Sequence, residues 1–530
     1  MKELRLEEMT LAQKIGQLIC IRGFHDEEET KEIHEALARG EVGAIQGRWF
    51  GEDAAEIISE IRETAGYNVL ICADMEVGFP GSKLRIPYQM AISYADDEEL
   101  AYEVARVVAI EAKNSGYSVV WGPISDMGDE GTSCKNCRSF GDMEKTIKCS
   151  IAMLRGYQDE GMLATMKHYP GPYGVSGDSH MRPTNCMISA EKLLERNMKP
   201  YKAAIESGDL NSIMTSHCIY EKIDDKPATM SKRIIDMIRA QGFDGIIFSD
   251  SLAMMAIESK FGKKESLGLA IAAGVDVVLP AFSLTYGEIH AALMEAYQKG
   301  VFTEERLNDA VRHVLAAQKR TMKKPSQTEL NVRQKNIVDE LNRKGLCAVL
   351  KDGVDVKLNP DKKKLFVLLH ETNPTNAASL ELVNGGWFVK AQVEKKAKLI
   401  QEAFPDAKIM LLNEFPNNKE NEDICRACAA AEEVIFFTFC KQTSYLGSNC
   451  ITERIRSVLE ACMYKIAAVV HVGNPYEARK FMDAPRILLG VLGSDSERYA
   501  IQALKGEFVP TGRAPKDLYD ERVEVYTNCL

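Results

Sequence analysis

The segment Leu163-Ala164-Thr165-Met166-Lys167-His168-Tyr169-Pro170-Gly171 reads as a buried strand that ends on two ionisable side chains. A loop rich in glycine and proline follows it and leads to Asp178-Ser179-His180. Such a loop can place side chains in a cleft at a geometry that neither a helix nor a strand allows. Taken alone, the segment is equally compatible with a solvated turn, so its meaning depends on the pattern around it.

The same pattern repeats from residue 10 to about residue 320, as a short apolar run followed by a longer segment with helical periodicity. The eight runs cover residues 15–21, 42–46, 69–74, 118–124, 163–166, 212–215, 245–248 and 275–279. Strands that alternate with helices indicate a parallel sheet, and eight such units predict a closed (β/α)8 barrel. An open doubly wound sheet is the alternative, but the glycine fingerprint that would favour it does not follow the first run.

Five of the eight runs end on polar or ionisable side chains. These ends are Asp74, Ser125-Asp126, Lys167-His168, Ser216-His217 and Ser249-Asp250. In a (β/α)8 barrel the chemistry lies at the carboxyl ends of the strands, where the side chains of different strands converge. A purely structural barrel does not need so many polar strand ends, so the pattern predicts a functional site there.

The rest of the chain predicts a second domain. Residues 319–335 are polar and basic and include a proline, which is typical of an interdomain linker. Apolar runs then return at residues 364–369, 409–412, 434–439, 467–472 and 487–491, again with helical segments between them. We therefore expect an α/β protein with a TIM-type (β/α)8 barrel over residues 1–320, a linker over 321–335 and a smaller α/β sandwich domain over 336–530.

Charge and hydropathy exclude several classes of partner. The net charge of −11 argues against a general binder of nucleic acid or of anionic membranes. No apolar run reaches the length of a membrane span. The beginning of the chain is charged and lacks the apolar core of a secretory signal, so we expect a cytoplasmic protein.

The fourteen cysteines are scattered and lie mostly in apolar surroundings, which is typical of reduced, buried thiols. Two C-x-x-C pairs occur, Cys134/Cys137 and Cys425/Cys428. A structural zinc site needs two such pairs close enough to fold together, and these are far apart in the chain. We therefore predict no metal site.

Asp250 and the loop residues Asp178 and His180 suit one kind of chemistry. A carboxylate on a rigid strand end, without neighbouring ligands, suits a nucleophile or a general acid/base better than a metal site. The loop is long enough to bring His180 over the same barrel mouth. A carboxylate nucleophile with a proton donor opposite it is what retaining glycoside hydrolysis requires.

Several segments carry a resemblance to a known family. They are Ala73-Asp74-Met75-Glu76-Val77-Gly78, Arg138-Ser139-Phe140-Gly141, Lys167-His168-Tyr169-Pro170-Gly171 with Asp178-Ser179-His180, Ser249-Asp250 with Leu252 and Met254, Pro227-Ala228-Thr229-Met230-Ser231 and Gly506-Glu507-Phe508-Val509-Pro510-Thr511-Gly512. Together they resemble glycoside hydrolase family 3, and within it the bacterial N-acetyl-β-glucosaminidases. The Asp-Ser-His loop separates that branch from the β-glucosidases, and the resemblance covers nearly the whole chain.

The resemblance implies roles. Asp250 is expected to be the nucleophile and His180 the acid/base, with Asp178 orienting the His180 ring. The sugar is expected to be bound by Asp74, Arg138, Lys167, His168 and His217. A histidine with an ordinary pKa of about 6.5 can both donate and accept a proton near neutral pH. The implied substrate is a small carbohydrate, a GlcNAc-containing oligosaccharide or muropeptide from peptidoglycan turnover, and no cofactor is implied.

The departures from the family pattern lie around the substrate. Gly171-Pro172-Tyr173 stands where the family has G-H-G, Ser251 replaces a second aspartate after the nucleophile, and Phe79 occupies a position that is usually arginine. These changes affect the sugar preference more than the reaction type. The alternatives are a family 3 β-glucosidase, or a β-glycoside phosphorylase, since a neutral histidine would not repel phosphate. A catalytically silent sugar-binding barrel is the alternative that is not an enzyme, and the intact Asp250, Asp178 and His180 set argues against it.

Overall fold

The computed structural model describes residues 2–22, 26–127, 137–172, 175, 177–370, 390–440, 451–493, 495–515 and 518. Cys134 and Tyr173, which the sequence analysis names, lie outside these residues. The chain divides into two compact units. The first comprises Met1–Arg85, Glu98–Met127 and Met143–Ile337, and the second comprises Ile86–Asp97, Gly128–Asp142 and Val338–Leu530.

The first unit contains eleven described strands, nine of which overlap the predicted apolar runs, whereas Thr184–Cys186 and Cys218–Tyr220 were not predicted. The strands are β1 (Cys20–Ile21), β2 (Ala44–Gln46), β3 (Leu70–Ala73), β4 (Val119–Val120), β5 (Leu163–Ala164), β6 (Met166–Tyr169), β7 (Thr184–Cys186), β8 (Ser212–Thr215), β9 (Cys218–Tyr220), β10 (Ile246–Ser251) and β11 (Val277–Leu279). One parallel sheet has the order β1-β2-β3-β4-β5, and a second has the order β11-β10-β8-β6. Only Thr165 separates β5 from β6, so these two strands continue one another.

The two sheets are joined at both edges. At one edge the Lys167 N–H donates to the Pro123 carbonyl at 3.1 Å, and Ile124 pairs with Lys167. At the other edge Ile19 pairs in parallel with Val278, whose N–H donates to the Leu18 carbonyl at 2.9 Å. Eight strand positions therefore follow one another in the order of a (β/α)8 fold, and the predicted fold class is confirmed.

Helices alternate with these strands along the chain. They are Leu11–Gly16, Glu27–Ala38, Ala54–Ala65, Glu98–Asn114, Met143–Asp159, Ala190–Lys192, Lys199–Glu206, Lys232–Arg239, Met255–Phe261, Glu265–Ala273, Tyr286–Gln298, Glu304–Arg320 and Val332–Lys335, with a π-helical turn at Leu193–Asn197. The first predicted strand is wrong over residues 15–16, which are helical. Thr10 and Gln13 form a reciprocal capping box there, and this cap begins a helix where the apolar pattern alone favours a strand.

The second unit contains a six-stranded sheet. Its strands are β12 (Cys347–Leu350), β13 (Lys364–His370), β14 (Lys408–Asn413), β15 (Glu433–Phe439), β16 (Ile466–Val472) and β17 (Arg486–Gly490), in the order β12-β17-β16-β15-β13-β14. All neighbours are parallel except β12, which pairs antiparallel with β17 and was not predicted. Its helices are Met90–Ala95, Ile337–Lys344, Lys390–Ala403, Asn418–Ala430, Glu453–Cys462 and Ser496–Lys505. This unit is the expected second α/β domain.

The unit boundaries differ from the single division predicted from sequence. Residues 86–97 and 137–142 belong to the second unit, where the Tyr88 N–H donates to the Leu492 carbonyl at 3.0 Å. The predicted linker belongs to the first unit up to Ile337. Its Ser326 donates through Oγ to Glu160 at 2.9 Å, which attaches the segment to the first unit although its composition is that of a linker.

Two further sequence expectations concern cysteines and membranes. Ten of the eleven described cysteines are buried, and Cys425 is half-buried. All eleven are free thiols. Within the described ranges, every helix falls short of the combined length and hydropathy that a membrane span needs.

Candidate active site

Asp250 lies near the carboxyl end of β10, the strand that the sequence places seventh. Its Oδ1 accepts a hydrogen bond from the Ser251 N–H at 2.7 Å, and 22% of its side chain is exposed. The His168 Nε2 lies 3.8 Å from the Asp250 Oδ2. Burial by itself would raise the pKa of the Asp250 carboxyl, but the combined effect of His168, His217, His180 and the Ser251 N–H outweighs burial and holds this pKa below its usual range. Asp250 is therefore an ionised, partly exposed carboxylate at neutral pH.

His168 is oriented by a buried carboxylate, Asp126, at the end of the neighbouring fourth strand position. Its Nδ1 lies 2.7 Å from the Asp126 Oδ2, and its backbone N–H donates to the Asp126 Oδ1 at 3.0 Å. Asp126 is 1% exposed. Because Nδ1 is held by Asp126, the ring presents Nε2 towards Asp250. In the sequence, Asp126 is recognisable only as a polar strand end, without a specific role.

Lys167 points to a different pair of carboxylates from its neighbour His168. Its Nζ lies 2.6 Å from the Asp74 Oδ1 and 3.1 Å from the Glu76 Oε1, although the lysine is 1% exposed. Side chains of successive residues in a regular strand point to opposite faces. The register between β6 and β8 shifts between Lys167 and Tyr169, and such an irregularity lets both side chains face the site.

The Asp178-His180 pair lies on the loop that the sequence singled out. The His180 Nδ1 lies 2.7 Å from the Asp178 Oδ1, and the same oxygen accepts the His180 N–H at 2.9 Å. The loop is attached to the helix that follows Asp250. The Met255 N–H donates to the His180 carbonyl at 3.3 Å, and the Ala256 N–H donates to the Ser179 carbonyl at 3.1 Å. These bonds place the dyad beside the strand end that carries Asp250.

His217 was predicted to bind substrate, and this assignment stays a prediction, while both of its ring nitrogens contact protein groups. Its Nδ1 lies 2.8 Å from the Thr229 Oγ1, and its Nε2 lies 2.9 Å from the Ser251 carbonyl. Burial lowers the pKa of His217, against the opposing effect of the Asp250 charge. A neutral ring whose two nitrogens both bond to protein holds the backbone beside Asp250.

Arg22 was missed by the sequence analysis. It follows the last residue of β1, and its Nη1 donates to the Ser251 Oγ at 2.5 Å and to the Pro280 carbonyl at 3.2 Å. Its guanidinium lies 3.5 Å from the centroid of the Phe282 ring. Arg22 directly follows the first predicted apolar run. The criterion of a polar residue at a strand end, which identified the other five ends, could therefore have found it.

Of the remaining predicted site residues, Asp74 lies beside Lys167 as described above. Arg138 belongs to the second unit. The assignment of Arg138 to the sugar site stays a prediction. Within the first unit, the structure thus brings together Asp74, Lys167, His168, Asp178, His180, His217 and Asp250 at the carboxyl ends of the strands or on the loop attached there.

One group of side chains among the described residues has potential metal ligands within reach of each other: Asp276, Asp309 and His313. The Asp276 carboxylate is already surrounded by positive charge. It pairs with Arg306, with Arg239 at 3.3 Å and with the His313 Nδ1 at 3.1 Å, and it accepts the Ile247 N–H at 2.8 Å. Asp276 precedes β11 and Ile247 lies at the amino end of β10, so this network lies at the end of the strands opposite to Asp250.

Comparisons with known proteins show what this chain is similar to. Residues 10–317 match the family model described as the glycosyl hydrolase family 3 N terminal domain. A beta-hexosaminidase of Tolumonas auensis is 32% identical over 275 residues, which are 49% of this chain and 81% of the relative. A beta-hexosaminidase of Xanthomonas axonopodis pv. citri is also 32% identical, over 46% of this chain and 75% of the relative.

Solved structures share the fold over nearly the whole chain. A glycoside hydrolase family 3 beta-N-acetylglucosaminidase from Paenibacillus sp. FPU-7 has a TM-score of 0.80 at 23% identity and covers 96% of this chain and 98% of that one. The beta-glucoside phosphorylase BglX, bound to 2FGlc, has a TM-score of 0.79 at 20% identity, with 96% and 94% covered. The family model covers more than half of the chain, and together with the curated relatives it shows that this chain belongs to glycosyl hydrolase family 3.

Proposed function

We propose that the protein is a retaining, exo-acting β-N-acetylglucosaminidase that works through a glycosyl-enzyme intermediate. The observation that carries this proposal is the Asp178-His180 dyad, whose loop is hydrogen bonded to the first turn of the helix after Asp250. That attachment supports a proton donor on one side of the glycosidic bond and a carboxylate on the other. The similarity to proteins named beta-hexosaminidase supports N-acetylhexosamine as the sugar.

In the first step the ionised Asp250 attacks the anomeric carbon. The bond between this carbon and the glycosidic oxygen breaks, and His180 gives its proton to the departing oxygen. The low pKa of Asp250 keeps the nucleophile ionised at neutral pH. The Asp178 carboxylate stabilises the imidazolium before it donates, as a carboxylate does in other carboxylate–histidine pairs.

In the second step water attacks the same carbon, gives a proton to His180 and releases Asp250 as a carboxylate. We propose that Asp74 and Lys167, which contact each other at 2.6 Å, bind sugar hydroxyls. We propose that His168 binds the sugar through Nε2, which lies on the Asp250 side of its ring. GlcNAc-containing oligosaccharides or muropeptides, as in peptidoglycan turnover, are the proposed substrates, and the cytoplasm is the proposed location.

The test is a panel of nitrophenyl β-glycosides of N-acetylglucosamine, glucose and galactose, each assayed with and without millimolar phosphate. We expect turnover of the N-acetylglucosaminide at a rate independent of phosphate, with free sugar as the only sugar product. Preference for the glucoside would contradict the proposed sugar. A sugar 1-phosphate product would make the protein a phosphorylase, and no turnover of any member would favour the silent sugar-binding barrel.

A further inference from the structure

Two exposed methionines lie beside the proposed acid/base. Met181 directly follows His180 and is 49% exposed, and Met255 is 43% exposed. The Met255 N–H donates to the His180 carbonyl at 3.3 Å, which is also the carbonyl that precedes Met181. The two methionine backbones therefore meet at His180, one on the loop and one on the helix that follows Asp250.

The proposed mechanism indicates which part of the substrate lies next to His180. A general acid must contact the oxygen that joins the sugar to its leaving group. The sugar ring lies towards Asp250, because the anomeric carbon is attacked from there. Exposed side chains that flank His180 are therefore candidates for contact with the leaving group. Met181 and Met255 are large apolar side chains with unbranched, flexible stems, which adapt to ligands of different shape.

We infer that Met181 and Met255 form an apolar wall of the subsite that receives the leaving group. This wall favours leaving groups with an apolar face, such as an alkyl chain, an aryl ring or the apolar face of a second sugar. The inference rests on the proposed function, because it takes His180 as the proton donor. It predicts a specificity that depends on apolar area rather than on leaving-group acidity.

The experiment uses methyl, butyl and hexyl β-N-acetylglucosaminides with the full-length protein. Their leaving alcohols have nearly the same acidity, so the chemical step is the same and only the apolar area changes. We expect kcat/KM to rise by about twofold to fourfold for each added methylene that becomes buried. The gain should come mainly from KM, since contacts made equally in the ground state and the transition state do not change kcat.

The double variant Met181→Gln, Met255→Gln should flatten this dependence, so that the hexyl-to-methyl ratio of kcat/KM falls at least fivefold. Met322→Gln is the matched control, because Met322 is 45% exposed and belongs to a turn whose Thr321 Oγ1 accepts a hydrogen bond from Asn68 at 2.9 Å, just before β3. That turn lies at the amino ends of the strands, and this variant should keep the wild-type ratio. Thermal unfolding of each variant checks that it is folded.

Two results would overturn the inference. One is a flat series in the wild-type protein while the methyl glycoside is cleaved, and the other is an unchanged hexyl-to-methyl ratio in the folded double variant. Either result leaves the proposed function intact. Failure to cleave any of the three N-acetylglucosaminides would instead overturn the proposed function, and the inference with it.

Discussion

At the scale of single residues, two carboxylate–histidine pairs of the same chemistry lie beside one carboxylate. Asp126 holds His168, which is 7% exposed, and Asp178 holds His180, whose side chain is 25% exposed. His168 is carried by a strand and lies 3.8 Å from Asp250, where it contributes with His217, His180 and the Ser251 N–H to lowering the Asp250 pKa. His180 is carried by a loop, and its exposure leaves room for a leaving group. Position, rather than residue type, separates their proposed roles.

The nucleophile can be tested by Asp250→Asn. The amide cannot form the ester intermediate, so kcat on nitrophenyl N-acetylglucosaminide should fall by about a thousandfold or more. Burial of a neutral side chain in place of a charge should leave the fold intact, as checked by circular dichroism and thermal unfolding. Near-normal turnover by a folded variant would remove Asp250 from the mechanism.

His180→Ala should reduce turnover in a way that depends on the leaving group. Alkyl glycosides need protonation of a basic oxygen, so their kcat/KM should fall by about a hundredfold to ten-thousandfold. A nitrophenolate leaves without this help, so its glycosylation step should lose much less. Asp178→Asn serves as the companion variant and should give the same selectivity with a smaller loss. Equal losses on both substrates in His180→Ala would indicate a structural histidine.

At the scale of elements, the two ends of the strands have different roles. The carboxyl ends carry the candidate site, whereas the amino ends carry the buried network around Asp276. Asp276 sits between β10 and the last long helix of the first unit, Glu304–Arg320, through its contacts with Ile247, Arg306 and His313. Charges at this end hold strand and helix together and take no part in the proposed reaction.

The ion-pair network around Asp276 predicts how the stability of the fold depends on pH. Burial opposes protonation of His313, but the contact with Asp276 outweighs it and raises the His313 pKa above its usual value. A raised pKa stabilises the folded state fully below about pH 6.5, and this contribution is lost as the pH rises through the folded-state pKa. Asp276, whose pKa is lowered against the effect of burial by His313 and Arg306, stays ionised throughout this window and adds no slope.

His313→Gln should therefore be less stable than the wild type at pH 5.5, by about 1.5–3 kcal/mol, and the difference should shrink on the alkaline side. The measurement is urea unfolding at pH values from 5.5 to 9. The control is His290→Gln, since the His290 ring bonds the uncharged Ala12 carbonyl at 3.0 Å. A difference between His313→Gln and the wild type that stays constant with pH would contradict the prediction.

At the scale of the whole molecule, the fold and the proposed chemistry together predict the stereochemical outcome. Attack by Asp250, followed by attack of water on the same carbon, inverts the configuration twice and gives net retention. NMR of the products in the first minutes should therefore show the β-anomer of the released sugar before mutarotation mixes the anomers. An initial α-anomer would rule out the covalent intermediate, even if the Asp250 and His180 variants behave as expected.

Most of the architecture follows from the sequence alone, because it depends on local signals. Apolar runs that alternate with helical segments identified the eight strand positions of the (β/α)8 fold, and the polar ends of those runs made Asp74, Lys167, His168 and Asp250 predicted site residues. Local chemistry also has limits. The capping box of Thr10 and Gln13 turned part of the first run into a helix, and the short apolar run at residues 346–350, which forms the edge strand β12, was not predicted as a strand.

Only the tertiary structure decided which groups meet. Asp126 joins His168, Arg22 joins Ser251, and residues 86–97 join the second unit, because these contacts connect parts of the chain that are distant in sequence. Hydrogen-bond partners likewise show that His217 supports the strand end beside Asp250, while its assignment to the sugar site stays a prediction. A sequence pattern reports how each residue relates to its neighbours along the chain, whereas a site depends on distances across strands, which exist only once the sheet has formed.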